Sequence, residues 1–180
     1  IPPFQRNYEW DTEQCDELFD DLISAYKNNK VHYLGNIVYY LGQNNGASFQ
    51  ELILVDGQQR ITTILLLLCA IRDITKDYGI KQDINCDYLT NRTHNEKYRI
   101  RLKQTAYDSD CFNSIINGNK ISIKNNAVQN YEYFKKRILE SNISVNELYN
   151  AIELLVIVDV NLQIENDLGK VQTVFEKINS

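Results

Sequence analysis

The stretch LILVDGQQRITTILLLL, residues 52–68, places a short polar turn between two apolar runs. Residues 52–55 are branched apolar residues that predict a strand, and residues 61–78 predict a long helix whose first half is apolar on most sides. A glycine between a strand and a helix directs the free amides of the first helical turn outward, with the positive end of the helix dipole behind them. The turn therefore predicts an anion site, and we interpret the anion as a phosphate.

The residues of the turn, Asp56 to Arg60, have the chemistry that a phosphate site uses. Gly57 allows a sharp turn and close approach of a ligand, and Arg60 can pair with phosphate oxygens through two parallel hydrogen bonds. Gln58 and Gln59 can donate to phosphate or base edges without adding charge. Asp56 can cap the helix, orient Arg60 or hold Mg²⁺. The alternative is a structural turn in which Asp56 is the N-cap and Gly57 serves only the geometry.

The N-terminal stretch IPPFQRNYEW, residues 1–10, alternates aromatic and polar residues after two prolines that favour an extended backbone. Two interpretations stay open. The aromatic residues pin an extended segment to the core, or Gln5, Arg6 and Tyr8 line a groove for a base or a phosphate.

The remaining pattern predicts an α+β fold, with a small mixed sheet near the N-terminus and a helical second half. Residues 12–26 predict a helix capped by Asp11 or Thr12. Residues 33–41 predict a strand that forms a hairpin with residues 52–55 across the polar turn 43–48. The later predicted elements are helices at 109–116, 125–139, 145–154 and 167–177, and a strand at 154–162 that we expect to be central in its sheet.

The segment YRIRLK, residues 98–103, alternates apolar and basic residues and predicts a short strand. Arg99, Arg101 and Lys103 would share one face of it. That face is interpreted either as a solvated strand face or as a surface that contacts phosphates.

Composition excludes several functions. At 180 residues and 43% hydrophobic, the chain can bury one core of ordinary size. A net charge of −5 provides no overall field for a polyanion, so any nucleic-acid contact needs a local patch. Four scattered cysteines and two histidines indicate neither a zinc site nor a disulfide framework, and we expect reduced thiols in a cytoplasmic protein. The longest apolar run, residues 64–71, is too short to span a bilayer, which takes about 20 residues.

Two further observations bear on the extent of the chain and on its ligand. The sequence contains no methionine and stops at VFEKINS, so we expect it to be part of a longer protein. Neither GxGxxG nor the P-loop pattern, GxxxxGK followed by Ser or Thr, is present. A nucleotide would therefore bind without either common phosphate-binding loop.

Five stretches in this order resemble the N-terminal domain of GmrSD-type restriction proteins: IPPFQRNYEW, DDLISAY, YLGNIV, LILVDGQQRITTILLLLCAIRD and VFEKINS. The resemblance covers essentially the whole chain, and DGQQR followed by TT is its most specific part. It implies a ParB/sulfiredoxin-like fold over residues 1–105 and a helical extension over residues 106–180. It also implies that nucleotide binding or hydrolysis is coupled to defence against foreign, often modified, DNA, with a nuclease domain downstream.

The resemblance also implies roles for individual residues. Gly57, Gln58, Gln59, Arg60, Arg6 and Asn179 would bind the nucleotide. From the residue chemistry, and not from the resemblance, we expect Asp56 and Arg60 to be catalytic, with Mg²⁺ held by Asp56. Gln5, Arg6 and Tyr8 would sense the DNA modification in the same cleft.

Three functions are carried forward from these observations. The first is a Mg²⁺-dependent domain that hydrolyses a nucleoside triphosphate and regulates a restriction system. The second is a module that binds a nucleotide or a DNA phosphate without catalysis. The third, a nuclease in its own right, lacks a histidine-centred motif in this chain.

Overall fold

The computed structural model describes residues 5–42, 50–93, 96–121, 123–163 and 173. These residues form six α-helices and one three-stranded sheet, which confirms the α+β prediction. The helices are α1 (Thr12–Lys27), α2 (Gln58–Ile74), α3 (Tyr78–Asp83), α4 (Ala106–Asn117), α5 (Asn126–Glu140) and α6 (Val145–Ile152), and the strands are β1 (His32–Leu41), β2 (Leu52–Asp56) and β3 (Leu155–Asn161). The predicted turn 43–48 and all but one residue of the predicted helix 167–177 lie outside the described residues.

The sheet has the strand order β2-β1-β3. β1 and β2 pair antiparallel as the predicted hairpin, and β1 and β3 pair parallel. The expectation that β3 is central is wrong, because it forms an edge of the described sheet and most of its residues are exposed. A continuous apolar run is typical of a strand buried on both faces, but Val156, Ile157, Val158 and Val160 are 39–48% exposed.

Helix α2 forms the centre of the core, and every residue from Thr62 to Arg72 is buried. A helix that is apolar on all sides requires this position. It begins three residues before the predicted start at 61 and ends four residues before the predicted end at 78, because Thr75 adopts an extended conformation that ends the helix. Asp77 then starts α3 by accepting hydrogen bonds from the amides of Gly79 and Ile80. Helix α3 was not predicted, since it begins at the last residue of the predicted helix.

The segment after α3 was not predicted correctly. A π-helix, Ile84–Leu89, and a short 3₁₀ turn, Glu96–Tyr98, precede α4. The predicted strand 98–103 is wrong, since Ile100 makes only a single antiparallel bridge with Thr90. Its alternation has another cause: Ile100 and Leu102 pack against the core from an irregular segment.

Three helices that follow confirm the predictions 109–116, 125–139 and 145–154 to within three residues at each end. Asn125 caps α5, and Ser144 forms a capping box with Glu147 at the start of α6. Helices α4, α5 and α6 pack against α2, and β3 pairs with β1. Residues on both sides of position 105 therefore share one sheet and one core.

Candidate functional site

The turn between β2 and α2 is built on Gly57. Gly57 has a φ of +92°, in the left-handed region, and a Cβ there would lie 3.0 Å from both the carbonyl oxygen of Asn36 and Cγ1 of Ile37. Glycine is therefore required, as the sequence predicts. Gly57 is also the N-cap, and no side chain caps the helix. Asp56 is thus not the N-cap that the structural alternative expected.

Asp56 instead orients Arg60. The guanidinium donates to Asp56 Oδ2 at 3.2 Å through Nη2 and to the carbonyl of Asn36 at 2.7 Å through Nη1. Gly35, with a φ of +114°, makes room for it, because a Cβ at this position would lie 2.3 Å from Nη1. The two side chains are 25% and 28% exposed, so the pair is fixed in place but open to solvent.

A cavity of about 210 Å³ opens at this turn. It is lined by Arg6, Trp10, Val55, Asp56, Gly57, Gln58, Gln59 and Arg60. Arg6 pairs at 3.2 Å with Glu9, and both side chains are mostly exposed. The volume is below the ~300–1,000 Å³ of most small-molecule sites. The cavity therefore suits a small charged group, such as part of a polyphosphate, better than a whole nucleotide.

The two glutamines of the turn bind the N-terminal segment. Gln59 Nε2 donates to the carbonyl of Asn7 at 2.9 Å, and Gln59 Oε1 accepts from the amides of Glu9 and Trp10 at 2.9 and 3.3 Å. Gln58 Nε2 donates to the carbonyl of Arg6 at 3.3 Å. In the described part of the chain, Gln58 Oε1 is buried without a hydrogen-bond partner. Of the two side chains, only Gln58 has a buried oxygen without a partner among the described residues.

The residues predicted to sense DNA differ in position. Gln5 is buried and donates to the carbonyls of Leu54 and Val55 at 2.9 and 2.7 Å. Arg6 is exposed and lines the cavity. Tyr8 is 6% exposed, and its hydroxyl lies 2.7 Å from Thr63 Oγ1. The structure therefore brings Arg6 together with Asp56 and Arg60, and directs Tyr8 into the core.

Tyr8 belongs to a buried polar network that joins distant parts of the chain. Its amide donates to Asp108 Oδ2 at 2.7 Å, and its hydroxyl accepts from Asn130 Nδ2 at 2.9 Å. Asp108 also accepts from Asn125 Nδ2 at 2.8 Å. Burial raises the pKa of the Tyr8 hydroxyl and raises the pKa of the neighbouring Cys15 thiol to about 12. Both groups therefore keep their protons at neutral pH.

The family model for the GmrSD restriction endonuclease, N-terminal domain, matches residues 1–180. The chain belongs to this family. Among curated proteins, no sequence matches the chain. The resemblance drawn from the motifs is confirmed, and the protein is a domain of a GmrSD-type restriction system, which indicates DNA as a partner.

The described ranges of this GmrSD N-terminal domain contain no group of three His, Cys, Asp or Glu side chains that could hold a metal ion. His32 lies 3.7 Å from Asp21, and His94 and Asn179 lie outside the described residues. Within those same ranges, no helix is long and apolar enough to cross a membrane.

The sequence analysis missed several residues that shape the site. Gly35 provides the space for Arg60, and the carbonyl of Asn36 holds the guanidinium. A glycine inside a predicted strand is itself a signal of close approach by a ligand or another chain segment, so Gly35 could have been found. Asp108 and Asn130 had no such signal, because polar residues on helices are most often solvated.

Proposed function

We propose that this domain binds the phosphates of a nucleoside triphosphate at the DGQQR turn and hydrolyses the nucleotide, and that it thereby regulates a cytoplasmic restriction system acting on foreign, modified DNA. One observation carries the proposal. The uncapped N-terminus of α2 opens into a cavity that also contains the oriented guanidinium of Arg60.

Phosphate binding follows from the charges around this cavity. The first amides of α2 have no carbonyl partner within the helix, and the helix dipole adds about 0.3–1 kcal/mol for an anion at this end. Arg60 is held by Asn36 with donors still available, and Arg6 can exchange its exposed partner Glu9 for a phosphate at little cost. Because the cavity is small, we place the phosphates inside it and the base outside.

In the proposed hydrolysis, the two charged residues of the turn have different roles. Arg60 stabilises the charge that develops on the transferred phosphoryl group. Asp56 is the carboxylate that would hold Mg²⁺, an ion usually bound by one or two carboxylates together with substrate phosphates. The Asp56 carboxylate, about a quarter exposed at the cavity, fits this requirement.

The N-terminal segment is the part of the domain that we expect to sense DNA, because it is hydrogen-bonded to the turn. Gln58 and Gln59 bind the backbone of residues 6–10, and Gln5 binds the end of β2. A displacement of this segment by DNA would therefore reach the turn directly. In this proposal Arg6 contacts the ligand, Gln5 and Tyr8 anchor the segment, and Asn179 joins the nucleotide site.

Calorimetric titration of ATP, GTP and CTP with Mg²⁺ tests the nucleotide site. We expect one of them to bind saturably to the 180-residue chain and Arg60→Ala to weaken binding at least about tenfold, the loss of one charged hydrogen bond. Lys136→Ala, on the exposed face of α5, removes the same charge far from the turn and serves as the control. Equal binding by Arg60→Ala and the wild type would refute the assignment.

A second function, a module that binds nucleotide without hydrolysis, is favoured by one observation. The carboxylate of Asp56 already pairs with Arg60, so it is not free to hold a metal ion or a water unless that pair opens. Phosphate release distinguishes the two functions. Turnover that Asp56→Asn abolishes while nucleotide binding persists supports hydrolysis, and stoichiometric binding with no phosphate release by the wild type supports the module.

A further inference from the structure

The segment that leads into α4 concentrates positive charge in an acidic chain. We call residues 90–93 and 96–103 the basic segment. It contains five basic residues, Arg92, Lys97, Arg99, Arg101 and Lys103, and one acidic residue, Glu96. Its net charge is therefore +4, while the whole chain carries −5. This segment therefore provides a local positive patch for a polyanion, although the chain as a whole is acidic.

The basic segment has a defined conformation although it is not a strand. The amide of Arg101 donates to the carbonyl of Leu89 at 3.0 Å, and the amide of Asn91 donates to the carbonyl of Arg99 at 2.8 Å. The Arg101 guanidinium donates to the carbonyls of Thr90 and Cys86 at 3.1 and 2.9 Å. Because both acceptors are neutral, Arg101 is held in place with its charge intact.

A cavity of about 440 Å³ lies between the basic segment and β2, within the usual range for ligand sites of ~300–1,000 Å³. It is lined by Gln50, Glu51, Leu52, Asn91, Tyr98, Ile100, Arg101 and Lys103. The ammonium groups of Lys97 and Lys103 each lie 5.2 Å from the centre of the Tyr98 ring. Both ammonium groups lie over the ring. Sites for nucleic-acid strands combine cations that meet phosphates with aromatic rings that stack on bases, so a bound strand would draw these ammonium groups from the ring to its phosphates.

This cavity is separate from the DGQQR turn. The two cavities share no lining residue, but both border β2, at Leu52 and at Asp56. Four strand intervals of about 3.3 Å place these residues roughly 13 Å apart. The chain can therefore contact a DNA strand at one end of β2 while its turn holds another ligand.

We propose that the basic segment is a contact surface for the DNA backbone, with Lys97, Arg101 and Lys103 on phosphates and Tyr98 against a base. The surface differs from the N-terminal segment and does not depend on nucleotide binding at the turn. Glu51 lines the same cavity, and Glu96 pairs with Arg99 at 3.5 Å, so the phosphate contacts are assigned to Lys97, Arg101 and Lys103 and not to Arg99.

Fluorescence anisotropy with a labelled single strand and the matching duplex tests this surface. We expect Lys97→Gln combined with Lys103→Gln to weaken binding at least about fivefold at low salt and to reduce the slope of log affinity against log salt by roughly 1–2. Lys135→Gln combined with Lys136→Gln is the matched control, because Lys135 also lies over a tyrosine ring, that of Tyr131. The control should stay within about twofold of the wild type.

Two more variants locate the DNA. Tyr98→Leu should weaken binding of the single strand about fivefold or more, because base stacking on an aromatic ring contributes strongly to affinity, and Arg60→Ala should bind DNA like the wild type. Three outcomes would overturn the proposal. They are an equal loss of DNA affinity in both double-lysine variants, a loss of DNA affinity in Arg60→Ala alone, and no binding of DNA by the wild type. Nucleotide binding should be unchanged in the Lys97/Lys103 variant, which would show that its loss of DNA affinity does not arise from the nucleotide site.

Discussion

The junction of β2 and α2 has an inner side and an outer side, and the polar residues on the two sides serve different purposes. On the inner side, Gln59 and Thr63 are buried and hydrogen-bonded to the N-terminal segment. On the outer side, Asp56 and Arg60 are about a quarter exposed and border the cavity. The inner polar residues stabilise the fold, and the outer ones are available to a ligand.

Two different elements carry these roles. Gln59 and Thr63 are four residues apart in α2 and therefore lie on the same side of that helix. Asp56 is the last residue of β2, and its carboxylate accepts a hydrogen bond from Arg60 across the turn at 3.2 Å. A motif read as one phosphate site therefore contains two sets of residues. Substitutions on the inner side should change stability most, and substitutions on the outer side should change binding most.

The largest expected effect is on the inner side. Tyr8→Ala should lower the free energy of unfolding by about 3–5 kcal/mol, because it empties a buried aromatic site and removes the hydroxyl partner of Thr63 and Asn130. Urea denaturation measures this change. Tyr107→Ala, at an exposed tyrosine, should have little effect. A Tyr8→Ala protein as stable as the wild type would mean that the network does not hold the segment.

An intermediate effect is expected where β1 meets the outer side. Gly35→Ala should cost about 1–2 kcal/mol of stability from its left-handed backbone and should also displace Arg60, whose Nη1 occupies the space of the new methyl group. Gly118→Ala is the matched control, since Gly118 also has a positive φ but a Cβ there meets nothing within 4 Å. Thermal unfolding should therefore change similarly in both variants.

Nucleotide titration separates the two glycine variants. Only Gly35→Ala should lose binding, because only there does the methyl group meet Arg60. Equal binding by both variants would show that the orientation of Arg60 does not matter.

The smallest effect is expected in a surface network that neither side of the turn uses. Hydrogen bonds from Tyr133 and then from Arg137 lower the pKa of Asp16 between α1 and α5. A lowered pKa contributes stability above the ordinary carboxyl range, and this contribution is lost as the pH falls through the folded-state value. Asp16→Asn should therefore cost about 0.5 kcal/mol at pH 7 and almost nothing near pH 2. A difference that grows in acid would contradict this sign.

Local patterns were sufficient for much of the fold. The hairpin of β1 and β2, helix α1 and helices α4 to α6 follow from apolar periodicity and capping residues, because both act between neighbours in the chain. The same reasoning failed at Thr75, where an extended residue ends α2, and at residues 98–103, where alternation reflects packing and not strand pairing. The edge position of β3 was also missed, because strand order depends on contacts between distant residues.

The sequence by itself determined the family, the fold class and a glycine turn that opens a helix with an arginine beside it. The tertiary structure decided which polar residues of that turn remain open to a ligand. The side chain of Gln59 is hydrogen-bonded to residues about fifty positions earlier in the chain, and Arg60 is oriented by the carbonyl of Asn36 on the neighbouring strand β1. Packing between distant segments determines such partners, and the spacing of residues along the chain gives no information about that packing.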